Sequence, residues 1–207
     1  MNYSDIIAAA QSYADRQDVE VTNNLDLFIS MVESRINRLL KTREQSVRAT
    51  VPTVTGQEYY ALPPDFGGMR DIQINSDATS ESTSTPVDYL TPALFNERRN
   101  GEYSGRVYYT IVANQFQIFP KLDTGQQIEL VYYQRVPNLN STDTTNWLSD
   151  SHPDAYIAGM TSEIEMFAKH YDAGNLWRDR MASIIGEIEI NDVEERWSGP
   201  PLQIRLG

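Results

Sequence analysis

The chain has 207 residues, of which 40% are hydrophobic and 22% charged, the balance of an ordinary globular protein with enough length to bury a core in one large or two small domains. A formal net charge of −12 sets the overall field against phosphates, which argues against stable direct binding of DNA but allows DNA to slide past without adhering. Cysteine is absent, so disulfides and thiolate metal sites are excluded, and the two histidines, His152 and His170, are too few for a histidine-based metal site.

No apolar run approaches the roughly 18–20 residues that a membrane span needs. The start, Met-Asn-Tyr-Ser-Asp, lacks the basic and apolar blocks of a signal peptide.

Residues 4–16 predict a short helix with Ser4 as N-cap and Ile6, Ile7, Ala10, Tyr13 and Ala14 at helical spacing. Residues 18–22 read as a connector. A longer helix starts near Asn23 or Asn24 and carries Leu25, Phe28, Ile29, Val32, Ile36, Leu39 and Leu40 as one stripe. Its far end is basic, with Arg35, Arg38, Lys41, Arg43 and Arg48 against the single acid Glu44 within fourteen residues. Cations favour a helix C-terminus, which accounts for part of the cluster as a solvated face. The remainder suits an acidic partner surface.

From Val47 the period changes to two. Val47, Ala49 and Val51 predict a strand, residues 52–56 turn the chain, and residues 58–62 return. Residues 63–68 read as a loop and 69–74 as the next strand. The stretch 75–86 is Ser/Thr-rich and reads as a mobile loop, either a plain surface loop or a segment that orders against a partner. Thr91 and Pro92 open a short helix to Arg99. Residues 107–111 and 115–119 form a hairpin with Asn114 at the bend, and 128–136 is the longest strand.

Asn146 to Tyr156 separates this β-rich region from two amphipathic helices. The spacing predicts a helix start anchored by a buried Trp147, with Pro153 in the first turn. The first helix carries Tyr156, Ile157, Met160, Ile164, Phe167, Ala168 and Tyr171, and Gly174 breaks it. The second carries Trp177, Met181, Ile184, Ile185, Ile188 and Trp197. Residues 150–197 hold eleven acidic and four basic side chains. The tail 198–207 is extended, and its alternating Leu202, Ile204 and Leu206 suit addition to a sheet edge.

The fold class is therefore α+β: a helical bundle of the N- and C-terminal helices (1–46 plus 147–197) with an inserted antiparallel β domain (47–146).

Catalytic constellations are missing. There is no phosphate-binding loop, Gly-x-Ser-x-Gly or His-Glu-x-x-His motif. Glu163 and Glu165 fall on different helix faces, and His152 reads as a helix-start residue. The reading is a non-enzyme without cofactor, catalytic residue or metal ligand. Twelve Tyr and three Trp against six Phe point instead to contact surfaces that are wet in the free subunit and buried in an assembly. Basic and acidic patches of one chain, placed head to tail, would pair between copies in a ring. Candidate interface residues are Arg35, Arg38, Lys41, Arg43, Trp147, Trp197, Leu202, Ile204 and Leu206.

Four segments carry a family resemblance: Tyr108–Pro120, Ile128–Pro137, Asn146-Trp-Leu and His152-Pro-Asp-Ala-Tyr156. Their order and spacing resemble the head-to-tail adaptors of short-tailed bacteriophages, the tail tubular protein A type. The resemblance implies a virion structural protein of the neck, assembled in the host cytoplasm. It implies a homo-oligomeric ring of about twelve copies. Its partners would be the portal, the tail nozzle and also tail fibres, with DNA passing through unbound and no membrane contact. The C-terminal helices and tail would face the portal, and the β insertion the nozzle or neighbouring subunits. The alternatives are a head-completion or stopper connector of another tailed phage, a carboxylate-based glycan hydrolase, and a host-derived β-rich binding module.

Overall fold

The computed structural model describes residues 1–76, 83–101 and 105–196. Its helices are α1 (Tyr3–Ala14), α2 (Val19–Thr22), α3 (Leu25–Leu39), α4 (Pro92–Asn100), α5 (Trp147–Ser151), α6 (Pro153–Phe167) and α7 (Tyr171–Arg196). Its strands are β1 (Ser46–Pro52), β2 (Tyr59–Ala61), β3 (Phe66–Asn75), β4 (Ser84–Tyr89), β5 (Val107–Val112), β6 (Gln115–Phe119) and β7 (Gln127–Gln134). The chain is an α+β fold with helices at both ends. It divides into two compact units, Met1–Glu44 with Val136–Gly207 and Gln45–Arg135.

In the helical unit the apolar stripes of both chain ends bury against each other. Ile6 and Ala10 of α1, Phe28, Val32 and Ile36 of α3, Tyr156, Met160 and Ile164 of α6, and Met181 and Ile185 of α7 form one core. The tightest point is Gly159. A β-carbon there would lie 2.7 Å from Val32 Cγ1 and 3.0 Å from Met181 Sδ, so α3 and α7 both reach the backbone of α6 where only hydrogen fits.

Several local expectations change. Asn2, not Ser4, caps α1, its side chain accepting from the Asp5 amide at 2.9 Å. The connector at 18–22 contains a helical turn, α2, capped by Asp18. Leu39 is exposed, while Leu40 completes the buried stripe. Gly174 does not end the first C-terminal helix. The chain turns at Lys169, in the left-handed region, and Gly174 lies inside α7, where a β-carbon would come 2.8 Å from Met166 Cγ. Close packing of α7 on α6 therefore selects this glycine, not a need to break a helix.

The β unit is a seven-stranded sheet in the order β1-β7-β3-β4-β5-β6-β2. Its core gathers Tyr60, Ile72, Ile74, Phe116, Ile118, Ile128, Leu130 and Tyr132. Strand β2 does not return along β1. It pairs with β6 at the opposite edge, where Tyr60 stacks on Phe116 with ring centroids 5.4 Å apart. β1 instead pairs with β7 over its whole length, from Ser46↔Tyr133 to Pro52↔Gln127. The Thr53 side chain fastens the end of that ladder by donating to the carbonyls of Asp123 and Gln126.

The region read as the loop 63–68 already belongs to β3 from Phe66, through two irregularities in its ladder with β7. Residues 84–86 of the expected mobile loop lie in β4, and residues 77–82 lie outside the described residues. β4 changes partner midway: Ser84 to Pro86 pair antiparallel with β3, and Val87 to Tyr89 pair parallel with β5. The sheet is antiparallel apart from that ladder, where helix α4 lies between the two strands in the chain and supplies the crossover.

The packing at Gly159 makes a signed prediction. Gly159→Ala forces Val32 and Met181 apart at a cost of about 1–3 kcal/mol, outweighing about 1 kcal/mol of improved helix propensity. Gly186 of α7 meets nothing within 4 Å, so Gly186→Ala should instead gain up to about 1 kcal/mol. Urea denaturation should lower the midpoint for the first variant and raise it for the second. Equal gains for both would refute the three-helix contact.

Candidate interaction surface

Within the helical unit, the seam where the chain from Val136 enters α5 and α6 is built around Asn146. Its Oδ1 accepts from the Ser149 amide at 2.8 Å, and Ser149 Oγ accepts in turn from the Asn146 amide at 2.9 Å, a reciprocal cap on α5. Its Nδ2 donates to the Pro137 carbonyl at 2.6 Å and to Tyr156 Oη at 2.8 Å. The amide thus ties the incoming chain, α5 and α6 together. Burial pushes the Tyr156 phenol well above its ordinary range. His152 ends α5 and precedes Pro153, the first residue of α6, as a helix-start residue should.

The incoming chain is also stitched to α3. The Val136 amide donates to Asn37 Oδ1 at 2.8 Å, and the Leu139 amide donates to Glu33 Oε1 at 2.5 Å. Glu33 is 5% exposed. Desolvation raises its carboxyl to about 7 against the opposing pull of the Leu139 hydrogen bond.

Beside this seam lies a cleft of about 300 Å³ between the chain after α3, the α5–α6 junction and the end of α7. Trp147 and Ile188 give it apolar wall, and Arg43, His152, Asp192 and Glu195 give it polar wall. The Arg43 amide donates to Asp192 Oδ1 at 3.0 Å, and its guanidinium pairs with Glu195. Arg196 also pairs with Asp192. These cations offset the acids that the helix dipole disfavours at the end of α7.

Among the described residues no cluster of histidine and acidic side chains is placed to hold a metal ion, and no helix is long and apolar enough to cross a membrane. What the geometry offers is surface. Residues 1–205 match the family model described as SU10 adaptor protein. The chain belongs to the SU10 adaptor family. No curated protein matches it. This is a family of phage head-to-tail adaptors, structural components of the virion at the head–tail junction and not enzymes. For an SU10 adaptor the functional sites are the faces it presents to other virion proteins.

Of the candidate residues, Arg35, Arg38, Lys41, Arg43 and Trp147 lie in the helical unit. Arg35 lies 3.8 Å from Glu163 of α6, and Arg43 is held by α7 of its own chain, so both cations have partners without a second copy. Arg48 belongs to the β unit. It binds the buried Glu129 at 2.5 Å, alongside Gln73 and Asn75, and this pairing holds the Glu129 carboxyl below its usual range. Arg38 is exposed, as is Lys41, whose amide reaches Glu189 at 3.3 Å. Trp147 is half-buried, packing on the bundle core beside the cleft, whereas Leu148 and Tyr156 are fully buried. Trp197, Leu202, Ile204 and Leu206 lie outside the described residues.

Glu33 went unnoticed in the stripe of α3, although a signal existed. It stands four residues after Ile29 and three before Ile36, on the side of the helix that buries.

The raised Glu33 carboxyl has a directional consequence for the adaptor. Between about 4.5, its ordinary value, and about 7, the folded state binds a proton that the unfolded state has released. Stability therefore falls as pH rises through that window, with the penalty fully present above about 7. In Glu33→Gln this contribution to the slope should vanish. Chemical denaturation at pH 4.5, 6 and 7.5 checks it, and identical pH profiles for the two proteins would refute the assignment.

Proposed function

We propose that this SU10 adaptor acts as the tail tubular protein A type does, as a ring between the portal and the tail nozzle that continues the channel for DNA ejection. The observation that carries the reading is the family match to residues 1–205, which spans both units. The net charge of −12 supports it, because a conduit for DNA must not hold its phosphates. A ring of about twelve copies requires two different faces on each subunit, since a single self-complementary patch closes as a dimer.

In this reading the C-terminal helices and the tail 198–207 face the portal, and the β unit faces the nozzle or the neighbouring subunits. Tail fibres are an additional partner. The bundle of 1–46 with 147–197 and the insertion 47–146 would then serve different partners, with the Asn146 seam fixing each chain end. Arg38, Lys41 and Trp147 remain available for contact, and Leu202, Ile204 and Leu206 are offered as a strand for a partner's sheet edge.

Purified protein mixed with its portal, or with DNA-filled heads lacking a tail, should add a ring of density below the portal in electron micrographs. Removing residues 198–207 should reduce the fraction of portals carrying that ring severalfold. Heads that stay bare with the intact protein would overturn the adaptor reading, and unchanged attachment of the shortened chain would overturn the role of the tail.

A further inference from the structure

Two helices of the helical unit keep an exposed line of mixed apolar and charged side chains that the core does not use. On α3, Leu27, Met31, Ser34 and Arg38 recur at spacings of four, three and four, and all are exposed, Leu27 at 55%. These residues share one line along the helix, opposite buried Val32 and Ile36. On α7, Leu176, Arg180, Ser183, Glu187, Ile190 and Glu194 form a second line, with Leu176 69% and Ile190 62% exposed. Val193 widens it at its end. The buried sides of α3 and α7 converge on Gly159, so their outward stripes diverge and cannot meet within one chain.

The two stripes are alike in pitch and opposite in charge. The α3 stripe ends in Arg38, followed by exposed Lys41, while Asp26 near its start is engaged by the Tyr3 hydroxyl. The α7 stripe carries Glu187 and Glu194, with Asp179 on the same side. Arg180, the one cation of that line, leans over the Trp177 ring at 5.1 Å. An isolated exposed leucine needs no partner, but two exposed lines with complementary charges, on divergent faces of one chain, have the form of a heterologous contact.

We infer that the α3 stripe of one copy docks against the α7 stripe of the next, and that this helix-to-helix contact propagates the ring. The inference rests on the ring reading above and names the surfaces that make it. Leu27 and Met31, one turn apart on α3, and Ile190 with Val193 on α7 supply the apolar part of that contact, and the acid–base pairing fixes which face meets which.

The chain has no native cysteine, so introduced thiols report cleanly. Met31→Cys and Ile190→Cys, both at exposed positions, are combined in one chain or kept in separate chains. The proteins are assembled on the portal and treated with a short bis-maleimide. The doubly substituted chain should give a covalent ladder extending beyond dimers. An equimolar mixture of the two single variants should stop at dimers, and neither single variant alone should cross-link.

Met31→Cys linking to itself would overturn the inference in favour of a two-fold contact, and links to the portal chain would assign the stripe to that partner instead. Rings visible in micrographs without any link between copies would overturn the surfaces while leaving the ring intact. Absence of a ring for the wild-type chain would overturn the ring reading and this inference together.

Discussion

A buried amide that leaves none of its strong donors unused is the constraint on which the helical unit turns. Asn146 is 8% exposed, and its side-chain oxygen and both amide hydrogens are engaged by Ser149, Pro137 and Tyr156. Out of water, each of those groups left unpaired costs about 1–3 kcal/mol, so they act as a set. Any displacement of the chain returning from the β unit breaks a bond to the cap of α5 or to α6. The order of this seam and the packing of the bundle are therefore one property. Glu33 and Asn37 extend the same logic to α3, holding the amides of Leu139 and Val136.

Packing then completes what the polar contacts begin. At Gly159 the absence of a side chain lets Val32 and Met181 approach one backbone, which joins α3, early in the sequence, to α6 and α7 late in it. A protein that links other bodies needs faces held at fixed angles to each other. Here the angle between the outward sides of α3 and α7 follows from how closely their inward sides meet on α6. Under the proposed contact between copies, core packing of this kind would set the geometry of assembly.

Much of this was legible in the sequence because it is periodic. The stripes of α3 and α6, the hairpin of β5 and β6, and Asn146 with Pro153 as a helix start are local patterns, and the α+β class follows from their order. The pairing of β2 was not legible. Residues 52–56 look like a hairpin turn, but β1 has a longer partner in β7, and Tyr60 finds Phe116 some fifty-six residues away. Local turn chemistry cannot weigh such distant partners.

The ion pairs were not legible for a related reason. Arg35, Arg43 and Arg48 cluster along the chain, yet the fold sends them to Glu163, to the end of α7 and to Glu129. Charge counted along a sequence does not reveal which ions already have partners. Gly159 and Gly174 carry no signal in a single sequence either, since a glycine chosen for close packing looks like one chosen for a turn.

The central physical claim is that the two ends of the chain form one cooperative body. Native-state hydrogen exchange in dilute denaturant addresses it directly, by following amides of α3 beside those of α6 and α7. The account predicts that their most protected amides converge on one opening free energy and one denaturant dependence. Exchange of α3 through a separate, lower-energy opening, while α6 and α7 stay protected, would contradict it.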